Sequence, residues 1–374
     1  MRGHMIIATS EGMWTCGAGK DGRVGHGCEQ DEMNPRFVDE LEDIEATSVS
    51  AGNSHTVVAT KQGDVFSFGK GRYGALGTGL KVSHMVPKRV RGFNGLRATL
   101  VSAGGAHTAV ITDTGAIFTF GSGAHGRLGH GSQKTELKPR LVRGLHGQRV
   151  ISVATGDDHT VVVTETGQVY SFGYGFEGAL GHGVQDEVLS PRRLRSISSE
   201  RVVSCATGCD HTVLCTTAGS IFTFGRGYHG RLGHGDRESQ FLPKLVEGVS
   251  EEFFVGISAS GTFTIAWTDE GVLYFFGSTS LDRAGLPPNQ TPPVDEMLGP
   301  VPPPQPFTMA PWAVPFKGKY VVQAAAGHTT LVQTSDGGLF ICSSLCGGSF
   351  TPAGLGTPAG LGTRRAWWPW SDRQ

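Results

Sequence analysis

Four histidines, His55, His107, His159 and His211, stand 52 residues apart, and each follows a glycine by three positions. Imidazole is the side chain most often used as a general base, because its ordinary pKa lies near neutrality. A second set, His26, His130, His182 and His234, sits in Leu/Val-Gly-His-Gly, with Thr78 in the remaining copy. A catalytic base is needed once, whereas the first set recurs unit after unit until Phe263 takes the next step; its members read as buried imidazoles bonded to neighbouring backbone. Metal binding would require them to converge, and one per unit keeps them apart. Cys205, Cys209 and Cys215 have poor spacing for zinc and read as reduced structural thiols. G-x-G-x-x-G follows a strand-like run at Gly17, Gly69, Gly121, Gly173 and Gly225. A dinucleotide fingerprint needs a helix next, with its N-terminus facing the pyrophosphate. Here more glycine follows, as in Arg127-Leu-Gly-His-Gly131, so the motif reads as a compact loop. No catalytic residue, metal ligand or cofactor site survives this reading.

The remaining chemistry is charge. Asp157, Asp158 and Asp210 occupy a variable pair of loop positions where other units carry Asn53-Ser54 and Gly105-Ala106. They are candidate partner-binding residues, since loops on a rigid scaffold carry specificity; the alternative is an Asx turn satisfying loop amides. Basic residues follow each repeated proline, with a cluster at Lys88, Arg89 and Arg91. One reading is a basic rim that meets an acidic partner or chromatin; the other is a strand edge charged against edge-to-edge pairing.

The elements that must position these residues follow from the repeat. Gly17, Gly69, Gly121, Gly173, Gly225 and Gly277 are each 52 apart, as are Pro35, Pro87, Pro139, Pro191 and Pro243. Each unit reads as Ala/Thr-Gly-x-x-His-Thr with an apolar run, an alternating strand such as Val65-Phe-Ser-Phe68, the glycine loop, and an outer strand entered through proline. One such small sheet cannot bury both its faces, so neighbours must stack, and a ring leaves only short edges. The 374 residues, less an insertion in the sixth unit, give seven copies. The expected fold is therefore all-β: a single seven-bladed propeller over 1–374, closed by terminal strands. The first copy lacks its Ala-Gly-x-x-His-Thr half, which the C-terminal stretch should supply. A Pro-rich insertion over 279–316 should be an extended excursion, and 344–374 is a degenerate tail ending in Trp367, Trp368 and Trp370.

Composition agrees. There are 57 Gly, 19 Pro and 20 Phe, with only 17% charged residues, which suits short strands and tight turns. A net charge of −1 marks no bulk affinity for nucleic acid or membrane. The start has no apolar signal stretch and no run long enough to span a bilayer, so a soluble cytoplasmic or nuclear monomer is expected.

These motifs, above all Gly69-Lys-Gly-Arg-Tyr-Gly-Ala-Leu-Gly-Thr-Gly79 and Gly225-Arg-Gly-Tyr-His-Gly-Arg-Leu-Gly-His-Gly235, resemble the regulator of chromosome condensation repeat family. The resemblance covers residues 5–277 strongly and 320–343 weakly. It implies a seven-bladed propeller and places the loops bearing Asp157, Asp158 and Asp210 on one face. For function it implies three lines: exchange factor for a small GTPase, interaction module within a larger ubiquitin ligase or trafficking protein, and plant photoreceptor. The exchange-factor type uses a protruding wedge, and no unit from 17 to 277 has an insertion for one. The photoreceptor type repeats Gly-Trp-Arg-His-Thr, and Asn53-Ser54, Gly105-Ala106, Asp157-Asp158 and Cys209-Asp210 stand there instead. The expectation is a non-enzymatic protein-interaction scaffold, with exchange activity or a fragment of a larger protein as alternatives.

Overall fold

The alternation of short apolar runs and glycine turns produces antiparallel sheets of one recurring pattern. The computed structural model describes residues 3–9, 12–278, 307–314, 319–327, 330–342 and 351–352. Among these are seven sheets, six of four strands and the first of three. The second sheet shows the pattern: Ala46–Ala51, His55–Thr60, Val65–Gly69 and His84–Val90, each paired to the next. The second strand of the sheet is buried along its whole length, as are its counterparts His107–Thr112, His159–Thr164 and His211–Thr216. Both its faces are covered by neighbouring blades, so its centre is a short apolar run, as in Val57-Val-Ala59, between buried polar ends.

Adjacent blades share six cores among the described residues, each mixing the two sheets. One joins Val57, Val65, Val90 and Phe93 to Val101, Val110, Phe118 and Phe120. The third strands contribute Phe68, Phe120, Phe172, Phe224 and Phe276, all with no exposed surface. Each ring lies against a glycine in the loop of the preceding blade. A Cβ at Gly129, whose φ is +73°, would come within 2.9 Å of the Phe172 ring. That close approach is one reason the loop motif cannot dispense with glycine.

Two features differ from the sequence expectation. Phe307–Val314, within the Pro-rich insertion, is the outer strand of the sixth blade and pairs with Leu273–Ser278. Pro311 takes the place that Pro243 holds one blade earlier, since Phe275 opposes Trp312 as Thr223 opposes Lys244. Proline suits an edge strand because it donates no ladder hydrogen bond. At the other end, Thr351–Pro352 pairs with Leu339–Cys342 as the outer strand of the seventh blade. The inner strand that would complete the first blade is not among the described residues, nor are Trp367, Trp368 and Trp370.

Polar contacts then lock blade to blade. The Nε2 of His55 lies 2.8 Å from Thr108 Oγ1, and Thr108 donates its hydroxyl proton to the carbonyl of Ala75 at 2.8 Å. His107 repeats this with Thr160 and Arg127, His159 with Thr212 and Ala179, and His211 with Thr264 and Arg231. The threonine has one proton and gives it to the carbonyl, so the imidazole must donate through Nε2–H. Each threonine is thus clamped between two groups of the preceding blade. The expectation of a backbone partner for these imidazoles is corrected: the partner is a hydroxyl on the next blade. Serines do similar work nearer the axis, where Ser50 accepts from the Ala103 amide at 3.0 Å and Ser102 from that of Thr155 at 3.1 Å.

The second histidine set holds each loop to its own sheet. Thr119 Oγ1 donates to the Leu128 carbonyl at 2.7 Å and sits 3.0 Å from His130 Nε2; His26, His182 and His234 do the same with Thr15, Ser171 and Thr223.

Burial holds these imidazoles neutral. His55, aided by Arg23, and His159 are pushed down to about 4, and His107 and His211 lie well below the usual value. The Nδ1 atoms of His107 and His211 have no partner, so a proton there would be buried without an acceptor. A histidine depressed in the folded state binds fewer protons there than when unfolded, near pKa 6.5. Its stabilisation is complete above about pH 6.5 and is lost as the pH falls towards about 4. The urea midpoint should therefore drop steeply between those values, and His159→Gln should flatten the slope. A wild-type midpoint constant across that window would contradict the buried neutral imidazoles.

Candidate protein-interaction face

The loops that join inner to second strands and those that follow third strands meet on one side of the ring. Arg127 connects them. Its Nε–H donates to its own loop at the Ala124 carbonyl, 3.0 Å away, and Nη1 donates to the Asp157 carbonyl of the next blade at 2.9 Å. Its Nη2 pairs with the Asp158 carboxylate. Arg23 and Arg231 make the equivalent bonds to the carbonyls of Asn53, 3.0 Å, and Gly261, 3.2 Å. All three are buried, with burial lowering the pKa of Arg127 and Arg231. Alanine takes this position at Ala75 and Ala179, so the staple is made at alternate blades.

The three predicted aspartates lie on the loops of this side, and Asp157 helps to line a central channel of about 990 Å³. Each has an internal partner. Asp157 Oδ1 accepts from Asn53 Nδ2 at 2.7 Å, across a span of two blades. Asp158 holds Arg127, and Asp210 lies 3.5 Å from Arg226 Nη1, with burial raising its pKa. Lys88, Arg89 and Arg91 are exposed on or beside the outer strand of the second blade, at the rim, and Arg89 pairs with Asp64. The structure therefore does not bring the basic cluster together with the aspartates.

Between the loops runs an array that the repeat motif obscured. His125 stacks on Tyr174 with ring centres 4.6 Å apart, and Tyr174 on Phe176 at 5.7 Å. The Arg226 guanidinium lies 5.9 Å from the Phe176 ring and 5.6 Å from that of Tyr228, which contacts His229 at 4.2 Å. Arg226 is also 3.7 Å from Glu177. The array crosses the third, fourth and fifth blades. On the second blade, Arg72 covers Tyr73 at 5.0 Å. Tyr73 and Tyr228 are 43% and 49% exposed. The residue before the third loop glycine has a left-handed backbone in five loops: Asp21, Tyr73, His125, Glu177 and His229, with φ from 48° to 70°. That conformation costs such residues of order 1 kcal/mol. These positions are the variable letters of G-x-G-x-x-G; the signal was there, in where the repeat fails to repeat.

The buried thiols offer no second chemistry. Cys16, Cys205, Cys209 and Cys215 are unpaired, and burial raises each to about 12. Among the described residues no group of three or more side chains could hold a metal ion, and no helix is long and apolar enough to cross a membrane.

Arg127→Ala should cost about 2–4 kcal/mol in urea unfolding, because two loop carbonyls and Asp158 lose their partner. Arg140→Ala, which breaks an exposed pair with Glu136, should cost less than about 1 kcal/mol. Equal costs would show that the staple is ornamental.

Comparison with known proteins agrees with the geometry. A family model described as the RCC1-like domain matches residues 2–332. The chain is 34% identical to the Ultraviolet-B receptor UVR8 of Arabidopsis thaliana over 271 residues, 72% of this chain and 62% of that protein. It is 33% identical to the E3 ubiquitin-protein ligase HERC2 of Homo sapiens over 71% of this chain, but only 6% of that protein. The chain thus spans less than two thirds of the length of either relative. Among solved structures, Prp20p of Saccharomyces cerevisiae superposes with a TM-score of 0.77 at 19% identity, covering 94% of this chain and 87% of that one. Human WBSCR16 gives 0.71 at 20%, covering 99% and 94%. The repeated sheets, the ring and these matches together make the chain a member of the RCC1-like domain family.

Proposed function

We propose that this propeller is a non-enzymatic interaction module that binds a protein partner on its loop face, in the cytoplasm or nucleus. The observation that carries the reading is the stack from His125 through Tyr174, Phe176 and Arg226 to Tyr228. Tyrosine and arginine dominate the energetics of protein interfaces, because a large amphipathic surface is offered at small entropic cost. Here the rings already hold one another in place, which lowers the ordering cost of binding. Around them, Asp157, Asp158 and Asp210 supply a polar surround, partly neutralised by their internal partners. The free thiols support a reducing compartment.

A second reading is guanine-nucleotide exchange on a small GTPase. It is favoured by the fold shared with Prp20p, whose structure is described with its binding to Gsp1p and histones. Against it, the loops after the third strands are alike from the second to the fifth blade and form no wedge. A basic rim meeting chromatin is weakened by the ion pair that already engages Arg89.

A photo-crosslinking residue at position 228 should capture a partner that the same residue at position 36 on the rim does not. Tyr174→Ala with Tyr228→Ala should weaken that partner's measured affinity by about 30-fold or more, with the fold intact by circular dichroism. Unchanged affinity would move the site elsewhere. Faster release of labelled GDP from a small GTPase than its intrinsic rate would replace the scaffold reading by exchange.

A further inference from the structure

On the rim of the fourth blade the charge balance seen in the first three blades fails. In the first and third blades the arginine after the outer-strand proline pairs with a glutamate four residues earlier: Arg36 with Glu32 at 2.9 Å, and Arg140 with Glu136. In the second blade Arg89 pairs with Asp64. The fourth blade keeps the arginines and loses the acids. Arg192 follows Val188 where Glu32 and Glu136 stand, and Gln168 replaces Asp64. Arg195 adds a third guanidinium. All three are exposed. They line a concavity of about 530 Å³ with Gly181, His182, Ser196 and Leu242, and no carboxylate is in that lining. Leu242 belongs to the outer strand of the fifth blade and is 48% exposed. The cavity therefore draws its lining from two blades, three arginines on or just after the outer strand of the fourth and an apolar side chain from that of the fifth.

We propose that this concavity binds the phosphate of a phosphorylated serine or threonine in a peptide partner. Guanidinium groups present planar pairs of donors that match phosphate oxygens, and several around one hollow suit a dianion better than a single carboxylate. Leu242 gives the flanking peptide residue an apolar contact. A nucleic acid fits less well. Its backbone needs a track of cations, whereas the third blade's Arg140 is already paired and the whole chain is at −1. The site lies on the rim, away from the aromatic stack, and stands or falls separately from the loop-face reading.

The test is fluorescence anisotropy with a labelled peptide bearing phosphoserine beside leucine, and with its unphosphorylated twin. The wild type should prefer the phosphorylated form by about tenfold or more. Arg192→Gln, Arg193→Gln and Arg195→Gln together should abolish the preference. So should Gln168→Asp with Val188→Glu, which leaves every arginine in place and restores the acids of the sister blades. Arg140→Gln should leave it unchanged. No preference in the wild type, a preference surviving both sets of changes, loss in Arg140→Gln alone, or tighter binding of a short DNA duplex than of the phosphopeptide would each overturn the proposal.

Discussion

A threonine hydroxyl held between an imidazole and a carbonyl of the neighbouring blade is the interaction on which this ring depends. Apolar burial drives the sheets together, but it is non-directional and would tolerate sliding of one blade against the next. The relay from His107 Nε2 to Thr160 to the Arg127 carbonyl has a direction and a length. It fixes where the second strand of one blade lies relative to both the strand and the loop of the blade before. It recurs at five junctions among the described residues, the first made by His4, which is 2.7 Å from Thr56. Its polar atoms are buried, so a misplaced blade would leave them without partners, and that penalty is what makes the register specific.

Once the ring is fixed this way, the loops inherit a defined geometry. The carbonyl that receives each threonine proton belongs to the loop residue at position 23, 75, 127, 179 or 231. Where that residue is arginine, its side chain reaches on to the next blade and ties the loop face together. The same short loop then carries a residue with a left-handed backbone. Core and loop face are therefore successive consequences of one contact, and variable residues such as His125 and Glu177 add bonds of their own to the next blade, at Glu187 and Ser239.

The fold was legible because the 52-residue phase is a direct imprint of one sheet stacked on the next. What the phase could not show was which groups meet across blades. His4 is 51 residues before His55, one step out of register, and so escaped the pattern although it makes the same contact. Asp158 and Arg127 are 31 residues apart, and nothing in the sequence announces their pairing. Tyr174, Phe176, Arg226 and Tyr228 were read past because they fill the unspecified letters of a motif. Pro311 was hidden within a proline-rich stretch, where one more proline carries no signal by itself; only its register opposite the third strand of its blade marks it as an outer strand.

The central claim is that the imidazole and the threonine act as one unit across the blade boundary. A double-mutant cycle on His107→Ala and Thr160→Val, followed by urea unfolding at pH 8, tests it most directly. The two changes should couple by about 1–3 kcal/mol, the double variant costing less than the sum of the singles. Additivity within about 0.5 kcal/mol would contradict it, leaving apolar packing alone to set the ring.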